Sequence, residues 1–130
     1  MHRFILVLSV LGLLLLSACG VKAVEVKNSN GRTVGSIDMQ ASKTAVLVNT
    51  RGETIGKIRG TIIRDVSGKH LGTTADRDGN IVILDPNGNP LGSLSKGTDC
   101  YGKGQEILGS VNDEVDASIA AGACLVFFLQ

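Results

Sequence analysis

The chain has 130 residues, thirteen basic side chains against twelve acidic ones, and 3% aromatics. That length suits one domain with a modest core, and the near balance of charge advertises neither nucleic acid nor an anionic surface as partner. Two histidines, His2 and His70, leave little material for a Ser-His-Asp constellation or a Cys/His metal site.

At the N-terminus, His2 and Arg3 lead into an apolar run from Phe4 to Leu16. A helix needs roughly twenty apolar residues to cross a bilayer, so this shorter run reads as a secretory signal rather than a permanent span. It ends Leu16-Ser17-Ala18-Cys19-Gly20, which resembles the lipobox of bacterial lipoprotein precursors. The resemblance implies cleavage before Cys19, diacylglycerol on its thiol and a further acyl chain on the new amino group. Two or more acyl chains anchor a protein stably, where one binds only marginally. The expected organisation is a signal peptide over 1–18, a lipidated N-terminus and short tether over 19–23, and one β-repeat domain over 24–130. Gly20, standing where an aspartate signals inner-membrane retention in the enterobacterial sorting pattern, implies the outer membrane, with the domain facing the periplasm or the surface.

Beyond the tether the chain falls into repeats of G-x-x-Φ-G-x-Φ, where Φ is apolar. Gly31 to Ile37, Gly52 to Ile58 and Gly88 to Leu94 are clear copies, and Gly68 to Thr74 is a near copy ending on threonine. A fifth, one residue longer, runs from Gly104 to Val111. Each of the first four follows a β-branched or apolar run: Val24 to Val26, Val46 to Val48, Thr61 to Ile63 and Ile81 to Leu84. Strand, polar turn and second strand make a β-hairpin, and Asn30-Gly31 and Asn87-Gly88 supply the positive-φ residues of tight turns. The apolar residues of Φ-G-x-Φ stand three apart, which a regular strand would send to opposite faces. A bulge at Gly35, Gly56, Gly72 and Gly92 returns them to one face. The leading glycines are spaced 21, 16, 20 and 16 residues apart, an alternation expected of units in two environments such as facing sheets. The fold class is all-β: glycine-punctuated hairpins forming a small sandwich, a barrel or a short β-solenoid. The units also resemble those of PRC-barrel and similar small β modules, which write V-x-D-x-x-G-x-x-Φ-G-x-Φ; no function is carried over from that pattern.

The tail changes character at Asn112. Asn112-Asp113-Glu114, with Val115 and Ile119 four apart, predicts a short helix that Gly122 would end, and Cys124 to Leu129 reads as a buried closing strand. With Cys19 taken by lipid, Cys100 and Cys124 remain as an even pair in an oxidising compartment, which points to a disulfide. No C-x-x-C accompanies them.

Catalytic material is sparse. His70 lies in a repeat turn at a place held elsewhere by Thr33, Thr54 and Pro90, and reads as an exposed turn residue. Asp76-Arg77-Asp78 and Asp85-Pro86-Asn87 carry oxygens two apart beside glycines, as calcium loops do, although the terminal glutamate of an EF-hand does not follow. Tyr101, Phe127 and Phe128 are too few for a sugar-binding platform, and no glycine motif opens a helix as a phosphate cradle would. The sequence therefore leads to a non-enzymatic envelope lipoprotein without cofactor, serving as a structural or protein-docking module, partnered by the membrane and by an envelope protein. The alternative is a ligand- or calcium-binding lipoprotein using Asp76, Asp78, Asp85 and Asn87.

Overall fold

The computed structural model describes residues 23–95, 98–112 and 115–130. Cys19 and the whole signal segment lie outside them, as do Asp113 and Glu114 of the tail.

Ten antiparallel strands follow in chain order: β1 Ala23–Asn28, β2 Thr33–Ala41, β3 Thr44–Asn49, β4 Thr54–Arg59, β5 Ile62–Arg64, β6 His70–Arg77, β7 Asn80–Leu84, β8 Pro90–Ser95, β9 Asp99–Gly102 and β10 Ile107–Val111. Each pairs with the next, and β1 pairs with β10 through Val26 and Val111, closing a barrel. Closure leaves no free strand edge to template pairing with another chain. Of the three architectures the repeats allow, the barrel is the one adopted.

The repeat unit is one hairpin, and its turn is built the same way four times. The side chain of Asn28 accepts hydrogen bonds from the backbone N–H of Asn30 and Arg32, both at 3.0 Å. Asn49, Asp65 and Asp85 do the same for residues two and four further on. The Asn28 carbonyl accepts from Gly31 N–H while its own N–H donates to Arg32, so the loop has three residues and closes on Gly31 at φ 81. These are therefore not the two-residue tight turns expected at Asn30-Gly31 and Asn87-Gly88: Asn30 and Asn87 do not take positive φ. The preceding Asn or Asp satisfies the turn's donors and selects the longer loop. The tight form occurs at Asp78-Gly79, where both residues have positive φ. In the fifth hairpin Gln105, at φ 68, occupies the place of the leading glycine. That unit is of regular length and starts at Gln105 rather than Gly104.

The bulges are present in all five hairpins. Val26 pairs with Gly35 but Lys27 pairs with Thr33, leaving Val34 as the extra residue. Ile55, Leu71, Leu91 and Leu108 are left over in the same way beside Gly56, Gly72, Gly92 and Gly109. The glycine and the residue two further on then face the lumen, as with Gly35 and Ile37, while Val34 packs beside them. The alternating repeat spacing has a simpler cause than two facing sheets. Within one closed sheet, β2 and β3 span nine and six residues and β6 and β7 eight and five, whereas β4 and β5 span six and three and β8 and β9 six and four.

The tail departs most from expectation. Cys124 to Leu129 is not a strand: one helix, α1, runs from Ala117 to Phe128 straight through Gly122. About eight strands enclose only enough room for side chains, so ten leave a lumen that must be filled, and α1 fills it. Ile119 to Val126 are buried without interruption, as a helix apolar on every side requires. Gly122 does not end the helix because its missing Cβ is a packing requirement. A methyl there would lie 2.6 Å from Ile58 Cδ1 and 3.1 Å from Ile63 Cγ1.

Among the described residues, one inward position breaks the apolar lining. Thr74, 6% exposed, carries a hydroxyl with no hydrogen-bond partner, at the repeat position where Ile37, Ile58, Leu94 and Val111 stand. An unsatisfied buried hydroxyl costs about 1–3 kcal/mol. Thr74→Val keeps the shape and removes that cost, so the urea midpoint should rise by the equivalent of about 1 kcal/mol. An unchanged or lower midpoint would mean that the hydroxyl is satisfied in solution.

Candidate functional surface

The lumen is occupied by α1, which is tied to the wall. Cys100 on β9 and Cys124 on α1 form a disulfide with a Cα–Cα distance of 5.7 Å, both side chains fully buried. The pair expected from the cysteine count is thus made, but it joins plug to wall rather than strand to strand. Phe127 and Phe128 lie against Gly35 and Gly109 at one mouth of the barrel, and Tyr101 is half-buried. Function therefore has to be sought on the outer wall and the two rims.

The rims are defined by strand direction. One carries the five glycine-type turns and the C-terminal end of α1. The other carries Ala23, where the chain enters β1, the β2–β3, β4–β5 and β6–β7 connections, and the start of α1. Asp85 and Asn87 sit on the first rim and Asp76 and Asp78 on the second, separated by the length of β7. They do not come together, and among the described residues no group of three or more His, Cys, Asp or Glu side chains is placed to hold a metal ion. Asp85 is already engaged, its Oδ1 accepting from Asn87 and Asn89 N–H at 2.9 Å. The geometry fits turn-building carboxylates. His70 opens β6 half-buried, with Nε2 3.0 Å from the Gly72 carbonyl oxygen, rather than lying exposed in the turn.

Hydrogen bonding makes two of the turns sensitive to acid. The Ser67 hydroxyl and the Lys69 backbone N–H hold the Asp65 carboxyl below its ordinary range, and the backbone N–H of Asn89 does the same for Asp85. A depressed folded-state value means that the stabilisation is present above the unfolded carboxylate range and is lost as pH falls through the folded value. Asn28 and Asn49 build the same turn without a charge. Asp65→Asn with Asp85→Asn should accordingly keep stability at pH 7 close to native and flatten its decline in acid. Denaturant midpoints taken between neutral and acid pH check this, and an acid limb as steep as the native one would contradict it.

On the outer wall, charge is segregated in a way that the overall balance conceals. Lys57, Arg59 and Arg64 all point outward, alternating with inward Ile58 and Ile63. Cross-strand register sets Lys57 directly opposite Arg64, and Arg59 opposite Ile62 on one side and Thr44 on the other. These residues line a depression of about 450 Å³ over β3, β4 and β5. Among the described residues the ion pairs are Lys27 with Glu25 at 3.9 Å and Arg51 with Glu53 at 3.2 Å, and neither touches this surface. Arg64 donates to the Gly68 carbonyl at 3.3 Å and forms no ion pair with its chain neighbour Asp65, whose carboxylate accepts from Ser67 and Lys69. Sequence reading missed this row, though alternating Lys-Ile-Arg over 57–59 with the basic residue after Ile63 was its available signal. No family model, curated protein or solved structure matches the chain.

Proposed function

We propose that the chain is a lipid-anchored envelope protein whose plugged barrel serves as a rigid, non-catalytic structural or docking module. The observation that carries this reading is the sequence Leu16-Ser17-Ala18-Cys19 after a short apolar run, with the first strand beginning at Ala23. Four residues reach at most about 14 Å when extended, so a barrel tethered at Cys19 would sit against the membrane with the Ala23 rim toward it. A helix-filled lumen supports a role exercised through the outer surface. The lipobox and Gly20 support an outer-membrane address, with an envelope protein as the partner. Intact-mass analysis of the chain from bacterial membranes tests the anchor: the expected product begins at Cys19 and carries acyl chains, and Cys19→Ala abolishes both. An unmodified Cys19, or cleavage elsewhere, overturns the reading, and recovery in the inner-membrane fraction overturns the address.

A further inference from the structure

We propose that the basic row Lys57, Arg59 and Arg64, with Ile62 beside it, is a docking surface for the anionic headgroups of the membrane to which the chain is tethered. The inference rests on the lipid-anchor reading and adds to it a lipid preference and an orientation. Three observations carry it.

The first is an arrangement that folding alone does not favour. Like charges directly opposite on neighbouring strands destabilise a sheet, yet Lys57 faces Arg64 in register and neither is ion-paired among the described residues, the carboxylate of Asp65 next to Arg64 being engaged by Ser67 and Lys69 in the turn. In register, Asp38 follows only across Val46, two strands from Lys57, and forms no ion pair. A local rule broken at the expense of stability is the expected mark of a binding surface.

The second is position. β4 ends and β5 begins on the same rim as Ala23, so Arg59 and Ile62 lie at the end of the barrel that the tether would hold to the bilayer. Lys43, at the tip of the β2–β3 connection beside Gly60, adds a further cation to that rim.

The third is the mixture of chemistry. Ile62 is 40% exposed between the cations, and an apolar side chain flanked by Lys and Arg suits the boundary between headgroups and acyl chains. Phosphate headgroups accept hydrogen bonds from guanidinium groups in paired geometry, which Arg59 and Arg64 can supply.

The test uses the barrel without its anchor, beginning at Gly20, because the strands, their closure by β1 and β10 and the disulfide-held plug all lie within 23–130. Co-sedimentation with phosphatidylglycerol-rich vesicles is compared with phosphatidylcholine vesicles. Binding is expected to the anionic vesicles only and should weaken as salt is raised. Each of Lys57→Gln, Arg59→Gln and Arg64→Gln should lower partitioning about five-fold, the equivalent of about 1 kcal/mol per juxtamembrane charge. Arg51→Gln, on the opposite rim, should leave it unchanged. Equal partitioning to both vesicles, no binding to either, or a triple variant that binds like the native barrel would overturn the proposal. The vesicle result is independent of the mass of the mature chain. A barrel that ignores anionic vesicles while Cys19 is acylated sinks the surface alone, and an unmodified Cys19 sinks the anchor alone.

Discussion

Deleting residues 117–130 should leave a chain with no cooperative unfolding transition. The barrel wall without α1 would enclose an empty space lined by Ile37, Leu47, Ile58, Ile63, Ile83 and Leu94, all buried now. Burial of one large apolar side chain contributes about 1.5–3 kcal/mol. The loss of Ile119, Leu125 and Val126 alone therefore approaches the 5–15 kcal/mol that holds a typical domain folded, and the wall would lose its own contacts with them. The disulfide accounts for far less. Its closed loop, spanning a sequence separation of 24, stabilises by about 3 kcal/mol in the chain-entropy model. Cys100→Ala with Cys124→Ala should retain a cooperative transition displaced by about that amount, because the plug remains. The deletion is made with Cys100→Ala to avoid a stray thiol. Circular dichroism and denaturant titration separate the outcomes, and a truncated chain unfolding cooperatively at the native midpoint would mean that the wall stands without its plug.

That division of labour explains which parts of the fold can be read from sequence. The hairpins are legible because each is specified locally. An apolar run, a turn residue with φ > 0 and a bulge at Φ-G recur within about twenty residues, and no distant contact is needed to infer them. Asn28, Asn49, Asp65 and Asp85, each three residues before the turn glycine or its equivalent, add a further local signal that fixes the loop type. The existence of a short helix near the C-terminus is legible from Asn112 to Ile119, but its extent to Phe128 is not, for the opposite reason. Periodicity identifies a helix by contrast between its faces, and α1 has none, since every side meets the barrel wall. Gly122 then reads as a terminator, although its missing Cβ leaves the room that Ile58 and Ile63 occupy. Cys124 to Leu129 reads as a strand because a short apolar run has the same appearance in either conformation. The cysteine pairing is within reach once the lipobox resemblance sets Cys19 aside, but what it joins depends on the closed topology. The basic row is hidden differently. Lys57 and Arg64 become neighbours only through cross-strand register, and a neutral total says nothing of how charge is distributed around a barrel.

The packing between wall and plug follows a size rule that yields the second large effect. At the mouth where α1 ends, the plug side chains are large and the wall has glycine. Gly35 lies under Phe127, Gly56 under Val126, Gly72 under Leu125, Gly92 under Leu129 and Gly109 under Phe128. Further in, the plug is small at Ala120, Ala121, Gly122 and Ala123, and the wall carries the large residues. A methyl group on any of the five collar glycines enters occupied space, but the neighbours differ in what they can yield. At Gly56 the added Cβ would meet Val126 Cγ2 at 3.2 Å and Cγ1 at 3.3 Å, with the Arg64 carbonyl oxygen at 3.4 Å. At Gly35 it would press on the Val48 carbonyl oxygen as well as the Phe127 ring. Replacing glycine by alanine where the backbone allows it usually stabilises by about 0.4–1 kcal/mol. Here the sign should reverse, with Gly56→Ala costing about 1–2 kcal/mol and Gly35→Ala about 3 kcal/mol, at the upper end of overpacking. Val126→Ala removes the two methyls that crowd Gly56. Combined with Gly56→Ala it should recover at least about 1 kcal/mol relative to the sum of the single changes, a coupling characteristic of residues in direct contact. Phe127→Leu should rescue Gly35→Ala only in part, because the Val48 carbonyl belongs to the neighbouring strand and cannot be trimmed. Urea titrations of the four single and two double variants measure both cycles. Additive costs at Gly56 and Val126, or a stabilising Gly35→Ala, would show that the collar glycines serve the bulge geometry and not the seat of the helix.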